Sequence, residues 1–193
     1  MELMTGGDLR TLLRQAEAPL PRDRARGIMN DVCSGMAFLH SKGAIHGDLK
    51  SANVLFDGCG TAKIADFGTE KWVQHGVSTG LATTYVGTKV TSSTHMSIPW
   101  AAPEVLDDDP ASFKSDVYSF GIIAWEIASR RMPWVGLNAR MIFRRVVLAG
   151  ARPEIPNDAA EEMEDVIRSC WAGDPTARPN FSDILDMMKS WIN

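Results

Sequence analysis

The stretch "AIHGDLKSANVLF", residues 44–56, places four polar side chains within eight positions and surrounds them with apolar neighbours. They are His46, Asp48, Lys50 and Asn53. Taken singly, Asp48 fits a turn, and His46 fits a histidine satisfied in a core. A carboxylate, an ammonium group and a carboxamide held this close together are instead typical of a loop that carries chemistry. The stretch therefore raises the hypothesis of an enzyme.

The composition describes a folded domain and excludes several functional classes. The 193 residues are 45% hydrophobic and 23% charged, which allows a buried core in one domain or in one large lobe of a bigger domain. The net charge of −4, without Lys/Arg-rich runs, gives no electrostatic footprint for nucleic acid or an anionic membrane. The longest apolar stretch, "VYSFGIIAWEIA" (117–128), is interrupted by polar residues and is too short to span a bilayer. We therefore expect no nucleic-acid partner and no membrane insertion.

The number and spacing of the cysteines indicate the redox environment of the protein. Cys33, Cys59 and Cys170 are odd in number and far apart in the chain. This pattern fits a reducing environment, and it fits neither a disulfide framework nor a zinc site. The first ten residues reach Gly and Asp too early for a signal peptide. We therefore expect an intracellular, cytoplasmic protein.

Apolar residues recur at helical spacing over most of the chain. From Arg22 to Ser41 they fall at three- and four-residue steps, which predicts an amphipathic helix. Four further helices are predicted. Two of them lie at 116–129 and 139–149. A third begins at Asp158, where Glu161 completes a capping box, and the last is opened by Asn180 with Asp183 and runs to about Trp191.

A short β-hairpin interrupts this helical pattern. Two runs rich in Val, Leu and Ile, "NVLF" (53–56) and "AKIADF" (62–67), flank the turn "DGCG" (57–60). Residues 69–98 are rich in Gly, Ser and Thr without periodicity, which predicts a long loop, and long loops in compact domains are usually functional or mobile. The expected fold is mainly α, with one small β-hairpin and one long loop.

Several motifs occur in an order and at separations that chance rarely produces. They are "HGDLKSAN" (46–53), "DFG" (66–68), "APE" (102–104), "KSDVYSFGIIAWEI" (114–127) and "CWAGDPTARPNF" (170–181). The set resembles the catalytic domain of eukaryotic protein kinases. The lysine two residues after Asp48 resembles that of serine/threonine kinases. The stretches "PWAAPE", "DVYSFGIIAWEI" and "GDPTARPNF" are most similar to the tyrosine-kinase-like group, whose members phosphorylate serine and threonine.

The resemblance assigns parts of the chain to parts of a kinase domain. Residues 1–7 would be a remnant of the hinge between the two lobes, and residues 8–193 would be the large lobe. Residues 66–104 would be the activation segment. The implied architecture is a protein-kinase-like large lobe in which the small, β-rich N-terminal lobe is absent.

The resemblance implies transfer of the γ-phosphoryl group of ATP to a serine or threonine hydroxyl of a protein substrate. Asp48 would accept or orient the proton of that hydroxyl, and Lys50 would offer a cation to the transferring phosphate. Asn53 and Asp66 would contribute to ATP binding by holding Mg²⁺, which prefers hard oxygen ligands.

The resemblance also implies a nucleotide site beside the hinge. The stretch "MELMTGGDLRTLL" (1–13) is similar to the hinge and the helix that follows it. Glu2, Met4 and Asp8 would line the nucleotide there, and Leu55 would form the floor beneath the adenine.

Other motif residues would support the site without touching substrate. Asp116, on the buried helix, would anchor the backbone of the "HGD" turn, and His46 would pack against Phe67 below the site. Glu104 and Arg178 would form a buried ion pair that fixes the activation segment to the lobe. A buried charge without its partner is costly, so removing either residue should destabilise the fold.

Two positions depart from the kinase pattern. Gly47 stands where most such kinases carry an arginine that pairs with a phosphate on the activation loop. We therefore expect weak dependence on activation-loop phosphorylation through this contact. Ser97 stands where a threonine usually contacts the catalytic aspartate, and the Gly87–Thr88 pair lies nine residues too early. Ser97 can offer the same hydroxyl.

On the same resemblance, Met1 would align with the end of the small lobe, so we expect the Gly-rich loop and the phosphate-binding lysine of that lobe to be absent from these 193 residues. We therefore expect the isolated chain to bind ATP·Mg²⁺ weakly and to turn over negligibly. One alternative is a non-catalytic interaction module, a kinase lobe kept as a scaffold. An unrelated ATP-grasping enzyme is another.

Overall fold

The computed structural model describes residues 4–15, 18–66, 97–189 and 191. The central element is helix α4, Phe113–Ser129, in which every residue from Ser115 to Ile127 is buried. A helix that is buried on all sides needs neighbours all round it. The longest helix, α2 (Arg22–Ser41), and α6 (Glu161–Cys170) pack against α4, and α7 (Phe181–Lys189) packs against α2.

Shorter elements surround these helices in the described part of the chain. They are α1 (Leu9–Gln15), α3 (Pro103–Leu106), and α5 (Ala139–Phe143), which continues as a π-helix over Arg144–Leu148. Single 3₁₀ turns occur at Ser51–Asn53, Ile98–Trp100 and Pro175–Ala177. The mainly α architecture is confirmed.

Strands β1 (Val54–Phe56) and β2 (Ala62–Ile64) form the predicted antiparallel hairpin, with Leu55 opposite Lys63. The segment before α1 lies along the other edge of β1. There the N–H of Gly6 donates to the carbonyl of Phe56, and the N–H of Phe56 donates to the carbonyl of Gly7, both at 2.9 Å. A Cβ at Gly6 would lie 2.7 Å from the Cβ of Phe56, so this close approach requires glycine.

The helix predictions hold with three changes. The helix predicted at 139–149 is an α-helix only over Ala139–Phe143 and then continues as a π-helix. Helix α2 has the predicted bounds. Helix α4 begins three residues earlier than predicted because Ser112 and Ser115 form a reciprocal capping box.

The predicted capping box at Asp158 is wrong. Helix α6 begins at Glu161, and its N-cap, Ala160, has no side-chain capping bond. The chain before it forms a turn closed by the N–H of Ala159 on the carbonyl of Pro156, so Asp158 lies in this turn and not at the helix N-terminus.

Other sequence-based expectations can be compared with the described residues. Cys33 and Cys170 are buried, Cys59 is exposed, and all three thiols are free. Trp100, Trp125 and Trp171 belong to the core. None of the helices that the structure describes is both long and apolar enough to cross a bilayer.

Candidate active site

The loop at 46–53 is held in place by one carboxylate of α4. Asp116 accepts hydrogen bonds from the backbone N–H of His46 and of Gly47, both at 2.9 Å. Its Oδ2 atom also lies 2.9 Å from Nε2 of His40. Asp116 is 1% exposed, so these contacts compensate the burial of its charge. The predicted anchoring of the "HGD" turn is confirmed.

His46 closes the turn from the other side. Its Nε2 atom lies 3.1 Å from the carbonyl oxygen of Ala65, and its Nδ1 atom lies 3.3 Å from the backbone nitrogen of Asp48. The backbone N–H of Asp48 can only donate, so Nδ1 is the acceptor and Nε2 carries the proton. The predicted partner Phe67 lies outside the described residues.

The side chains of Asp48 and Lys50 contact each other. The Nζ atom of Lys50 donates to Oδ2 of Asp48 at 2.6 Å and to Oγ of Ser97 at 2.8 Å. The side chain of Asp48 remains 39% exposed, so a hydroxyl group from solvent can reach it. The hydroxyl of Ser97 thus contacts Lys50 and is linked to Asp48 through that lysine, not by a direct hydrogen bond.

The hairpin brings Asn53 and Asp66 to one end. Asn53 directly precedes β1, and its carbonyl accepts from the N–H of Ala65 at 2.8 Å, just after β2. Asp66 is the next residue; it is exposed and has a φ of 57°. The amide nitrogen of Asn53 donates to the carbonyl of Asp48 at 2.9 Å, which orients the carboxamide within the site. Asn53 is thus bonded to Asp48, and Asp66 directly follows the residue that pairs with the backbone of Asn53.

Of the residues predicted to bind the nucleotide, the structure describes Leu55, Asp8 and Met4. Val54 and Phe56 are buried, and Leu55, on the opposite face of β1, is half-buried. Asp8 forms a bridge with Leu55 along the strand edge. Its carboxylate accepts from the N–H and the hydroxyl of Thr11, at 2.9 and 2.8 Å, and so caps α1. Met4 is half-buried, and Glu2 lies outside the described residues.

Glu104 and Arg178 form the predicted ion pair. The guanidinium of Arg178 is 0% exposed and makes a bidentate contact with the carboxylate of Glu104 at 2.6 and 2.8 Å. Arg178 also donates to the carbonyls of Ala172 and Lys114, both at 2.9 Å. The pair joins the end of the "APE" motif to the turn before α7, so it fixes this motif to the helical core.

Gly47 has a φ of 76°, in the left-handed region that favours glycine. A Cβ there would lie 3.8 Å from the Cβ of Ala111, an ordinary van der Waals distance. Backbone conformation, and not lack of space, therefore opposes a side chain at this position.

Glu126 belongs to the site but was not predicted as a site residue. It is 2% exposed, and its carboxylate accepts from the hydroxyl of Ser51 at 2.8 Å and from the indole N–H of Trp100 at 2.6 Å. Burial raises the pKa of Glu126 to about 7, although the hydrogen bonds from Trp100 and Ser51 and the charge of Arg10 act in the opposite direction. The signal in the sequence is a carboxylate within the apolar run "FGIIAWEI", where an unpaired charge is unfavourable.

Several predicted features lie outside the described residues. They are the Gly87–Thr88 pair and Gly68 of the "DFG" motif.

Comparison with known proteins agrees with the geometry of the site. A family model described as protein tyrosine and serine/threonine kinase matches residues 1–188. The serine/threonine-protein kinase CTR1 of Arabidopsis thaliana is 36% identical over 99% of this chain and 22% of its own length. The serine/threonine-protein kinases STY17 and STY46 of the same organism are each 32% identical, over 99% and 97% of this chain and 31% of their own lengths. The chain thus spans 22–31% of the length of these curated relatives.

Proposed function

The chain belongs to the protein tyrosine and serine/threonine kinase family, and on this basis we propose that it forms the catalytic lobe of a protein serine/threonine kinase. The reaction is transfer of the γ-phosphoryl group of ATP to a serine or threonine hydroxyl. The observation that carries the proposal is the contact of Lys50 with Asp48 and Ser97 in a loop held by Asp116. The matched relatives are named serine/threonine kinases, which favours Ser/Thr over Tyr as the acceptor.

Asp48 and Lys50 carry the chemical step. The substrate hydroxyl oxygen forms a bond to the γ-phosphorus while the bond from phosphorus to the β–γ bridging oxygen breaks, so ADP is the leaving group. The exposed carboxylate of Asp48 orients the hydroxyl and accepts its proton. The ammonium group of Lys50 places a positive charge where negative charge on the phosphoryl oxygens must be stabilised.

Asn53 and Asp66 fit a Mg²⁺ site by the chemistry of their donors. A carboxamide oxygen and an exposed carboxylate are hard ligands, and Mg²⁺ usually binds one or two protein carboxylates together with phosphate oxygens and water. No cluster of three or more His, Cys, Asp or Glu side chains suited to a metal occurs in the described part of the chain. When bound, Mg²⁺ would neutralise charge on the phosphates.

The nucleotide would lie against the hairpin and the segment before α1. Leu55 offers a half-buried apolar surface to the adenine. Asp8, Met4 and Glu2 would contact the ribose and adenine edge. Because Thr11 already uses both carboxylate oxygens of Asp8, a ribose hydroxyl would have to share those oxygens with the helix cap.

The alternative function, a non-catalytic interaction module, gains no support from the comparisons, since the matched relatives are named as kinases. The chemistry of Asp48, Lys50, Asn53 and Asp66 also exceeds what a scaffold needs.

The test compares the full-length protein with its Asp48→Asn variant. Phosphorylation of a general protein substrate is followed by mass spectrometry with ATP and Mg²⁺. We expect Asp48→Asn to lower kcat by about 10²-fold or more, the usual contribution of a general base. Asp107→Asn, an exposed aspartate in the loop after α3, is the matched control and should keep wild-type activity. Equal rates for wild type and Asp48→Asn would overturn the proposal.

A further inference from the structure

Residues 127–153 carry only positive charge. They contain six arginines and no aspartate, glutamate, lysine or histidine. The chain as a whole has a net charge of −4, so this stretch opposes the overall charge. A guanidinium group binds a carboxylate through two parallel hydrogen bonds, and it is more weakly hydrated than an ammonium group. The charge of this stretch therefore suits a partner rich in carboxylates.

The same stretch exposes large apolar side chains. Of the four large apolar residues that are exposed in the described part of the chain, Val135, Met141 and Leu148 lie here. Val135 is 75% exposed and Leu148 is 70% exposed. The fourth, Phe38 on α2, has the ammonium group of Lys42 over its ring at 5.4 Å. Single exposed apolar residues are common, but a group of them rimmed by polar residues is typical of an interaction surface.

Helix α5 and its π-helical continuation bring both kinds of side chain to one face. Ile142 and Val146 are buried and attach this helix to the lobe. The exposed residues from 140 to 148 recur mainly at four-residue steps, so they lie on the side opposite the buried pair. We call this side the α5 outer face, and it consists of Arg140, Met141, Arg144, Arg145 and Leu148.

The backbone beneath this face is well defined. The side chain of Asn138 accepts from the N–H of Met141 at 3.0 Å and caps the start of α5. The π-helix that follows, Arg144–Leu148, is a conformation that is rare in proteins and frequent at functional sites. The face is therefore preorganised, which lowers the entropy cost of binding a partner.

The arginines of the α5 outer face have no internal partner in the part of the chain that the structure describes. The ion pairs and side-chain hydrogen bonds between described residues include none of Arg140, Arg144 and Arg145. The acidic run at 107–109 follows α3, against which the π-helix packs, and it also forms no ion pair with them. Their guanidinium groups therefore have free hydrogen-bond donors for carboxylates.

The face belongs to a helix that lies next to the candidate active site. Helix α5 contacts the turn Ile98–Trp100, and the π-helix contacts α3, Pro103–Leu106. The turn begins directly after Ser97, whose hydroxyl accepts from Lys50. The helix that carries the basic and apolar residues thus packs on the segment that leads away from Asp48 and Lys50.

We propose that the α5 outer face is a docking surface for an acidic segment of the protein substrate, in which carboxylates alternate with large apolar side chains. The proposal rests on the proposed kinase function, because that function supplies the protein substrate. Carboxylates of the segment bind the three arginines, and its apolar side chains cover Met141 and Leu148. A long polyanion or an anionic membrane would also meet the rest of this negatively charged chain and be repelled, whereas a short segment contacts the basic face alone.

The first test measures binding without any activity. Fluorescence anisotropy follows a fluorescein-labelled peptide of Glu-Glu-Leu-Glu repeats added to the full-length protein. We expect Arg144→Glu to weaken binding about fivefold, the upper contribution of one exposed ion pair. Arg14→Glu makes the same change at an exposed arginine on α1 and should keep wild-type affinity. Raising NaCl from about 0.05 to about 0.5 M should weaken wild-type binding, because salt screens exposed charges.

The apolar contact is tested with a second peptide, of Glu-Glu-Ser-Glu repeats. Leu148→Ser should weaken binding of the leucine peptide and leave binding of the serine peptide unchanged, because the serine peptide lacks the group that Leu148 contacts. Equal losses for the two peptides would show that Leu148 does not contact the apolar side chains of the segment and would overturn this part of the proposal.

The second test measures docking in the full-length kinase. The substrates are two versions of one serine-containing protein, with and without a tail of Glu-Glu-Leu-Glu repeats. We expect the tail to lower KM about fivefold in wild type and in Arg14→Glu, and to lower it little in Arg144→Glu. KM for ATP should change less than KM for the tailed substrate, because the α5 outer face does not touch the nucleotide.

The outcomes separate this proposal from the kinase assignment. If wild type has no activity, the kinase assignment fails, and the anisotropy still decides whether the face binds the acidic peptide. If wild type, Arg144→Glu and Arg140→Glu bind the leucine peptide equally, or wild type does not bind it, the docking surface is wrong. An equal effect of the tail in wild type and Arg144→Glu would exclude the substrate as the partner. Tighter binding of a DNA duplex or a phosphatidylserine vesicle, lost in the same variants, would also overturn the proposal.

Discussion

Replacing Arg178 with methionine tests how the "APE" motif is held to the helical core. Methionine matches much of the arginine stem but removes the guanidinium, which is fully buried. The change breaks both contacts with Glu104 and leaves the carbonyls of Ala172 and Lys114 without this donor. Breaking a buried ion pair by removing one partner costs about 3–5 kcal/mol, because the other charge stays buried without compensation.

That loss is large compared with the stability of an ordinary domain, about 5–15 kcal/mol. Glu104→Gln should cost less, about 1.5–3 kcal/mol, because the amide keeps one acceptor for the guanidinium and Arg178 keeps its carbonyl partners. In the double variant the two losses should not add, since each single change already breaks the same contact.

The assay is urea unfolding of the purified protein, followed by far-ultraviolet circular dichroism at neutral pH. The matched control is Arg168→Met on α6, which makes the same substitution in an exposed pair with Glu164. An exposed pair of this kind contributes about 0.3–0.5 kcal/mol. If Arg178→Met lowers the free energy of unfolding no more than Arg168→Met does, the structural role assigned to the buried pair is refuted.

Three further predictions concern the loop at 46–53 and its supports. Gly47→Ala should cost about 1 kcal/mol in urea unfolding, because the backbone is left-handed there while the space toward Ala111 is open; an unchanged midpoint would contradict this. Asp116→Asn should cost about 1–3 kcal/mol and lower kinase activity, since an amide cannot accept from both His46 and Gly47; wild-type values of both would exclude the anchoring role. The pKa of Glu126 rises from 4.5 to about 7 on folding, so its contribution to stability is greatest below pH 4.5 and decreases as pH rises toward 7. Wild type should therefore lose about 3 kcal/mol relative to Glu126→Gln between pH 4.5 and 8, whereas parallel unfolding curves would show that burial does not shift this group.

The helices and the hairpin that follow from the spacing of apolar residues and from turn residues could be predicted from the sequence. Helix α2 has the predicted bounds because its apolar residues form a regular stripe, and the hairpin follows from its turn residues and short apolar runs. The capping box at Asp158 was wrong because a turn at Pro156 delays the helix, and spacing of polar residues alone does not reveal such a turn.

The ion pair of Glu104 with Arg178 and the anchoring by Asp116 were also predicted, but through motif resemblance and not through local physics. Both contacts join residues about 70 positions apart. Nothing in the neighbourhood of either residue specifies its partner, so periodicity and propensity alone could not have found them.

By itself, the sequence determined the mainly α architecture and the order of the motifs, and it predicted which residues would perform phosphoryl transfer. These depend on residue type and near-neighbour spacing, which the chain carries directly. Only the tertiary structure decided that Glu126 joins Ser51 to Trp100 and that Lys50 bridges Asp48 and Ser97. The reason is physical: a buried polar group must find a partner, and which partner it finds depends on how distant segments pack around α4.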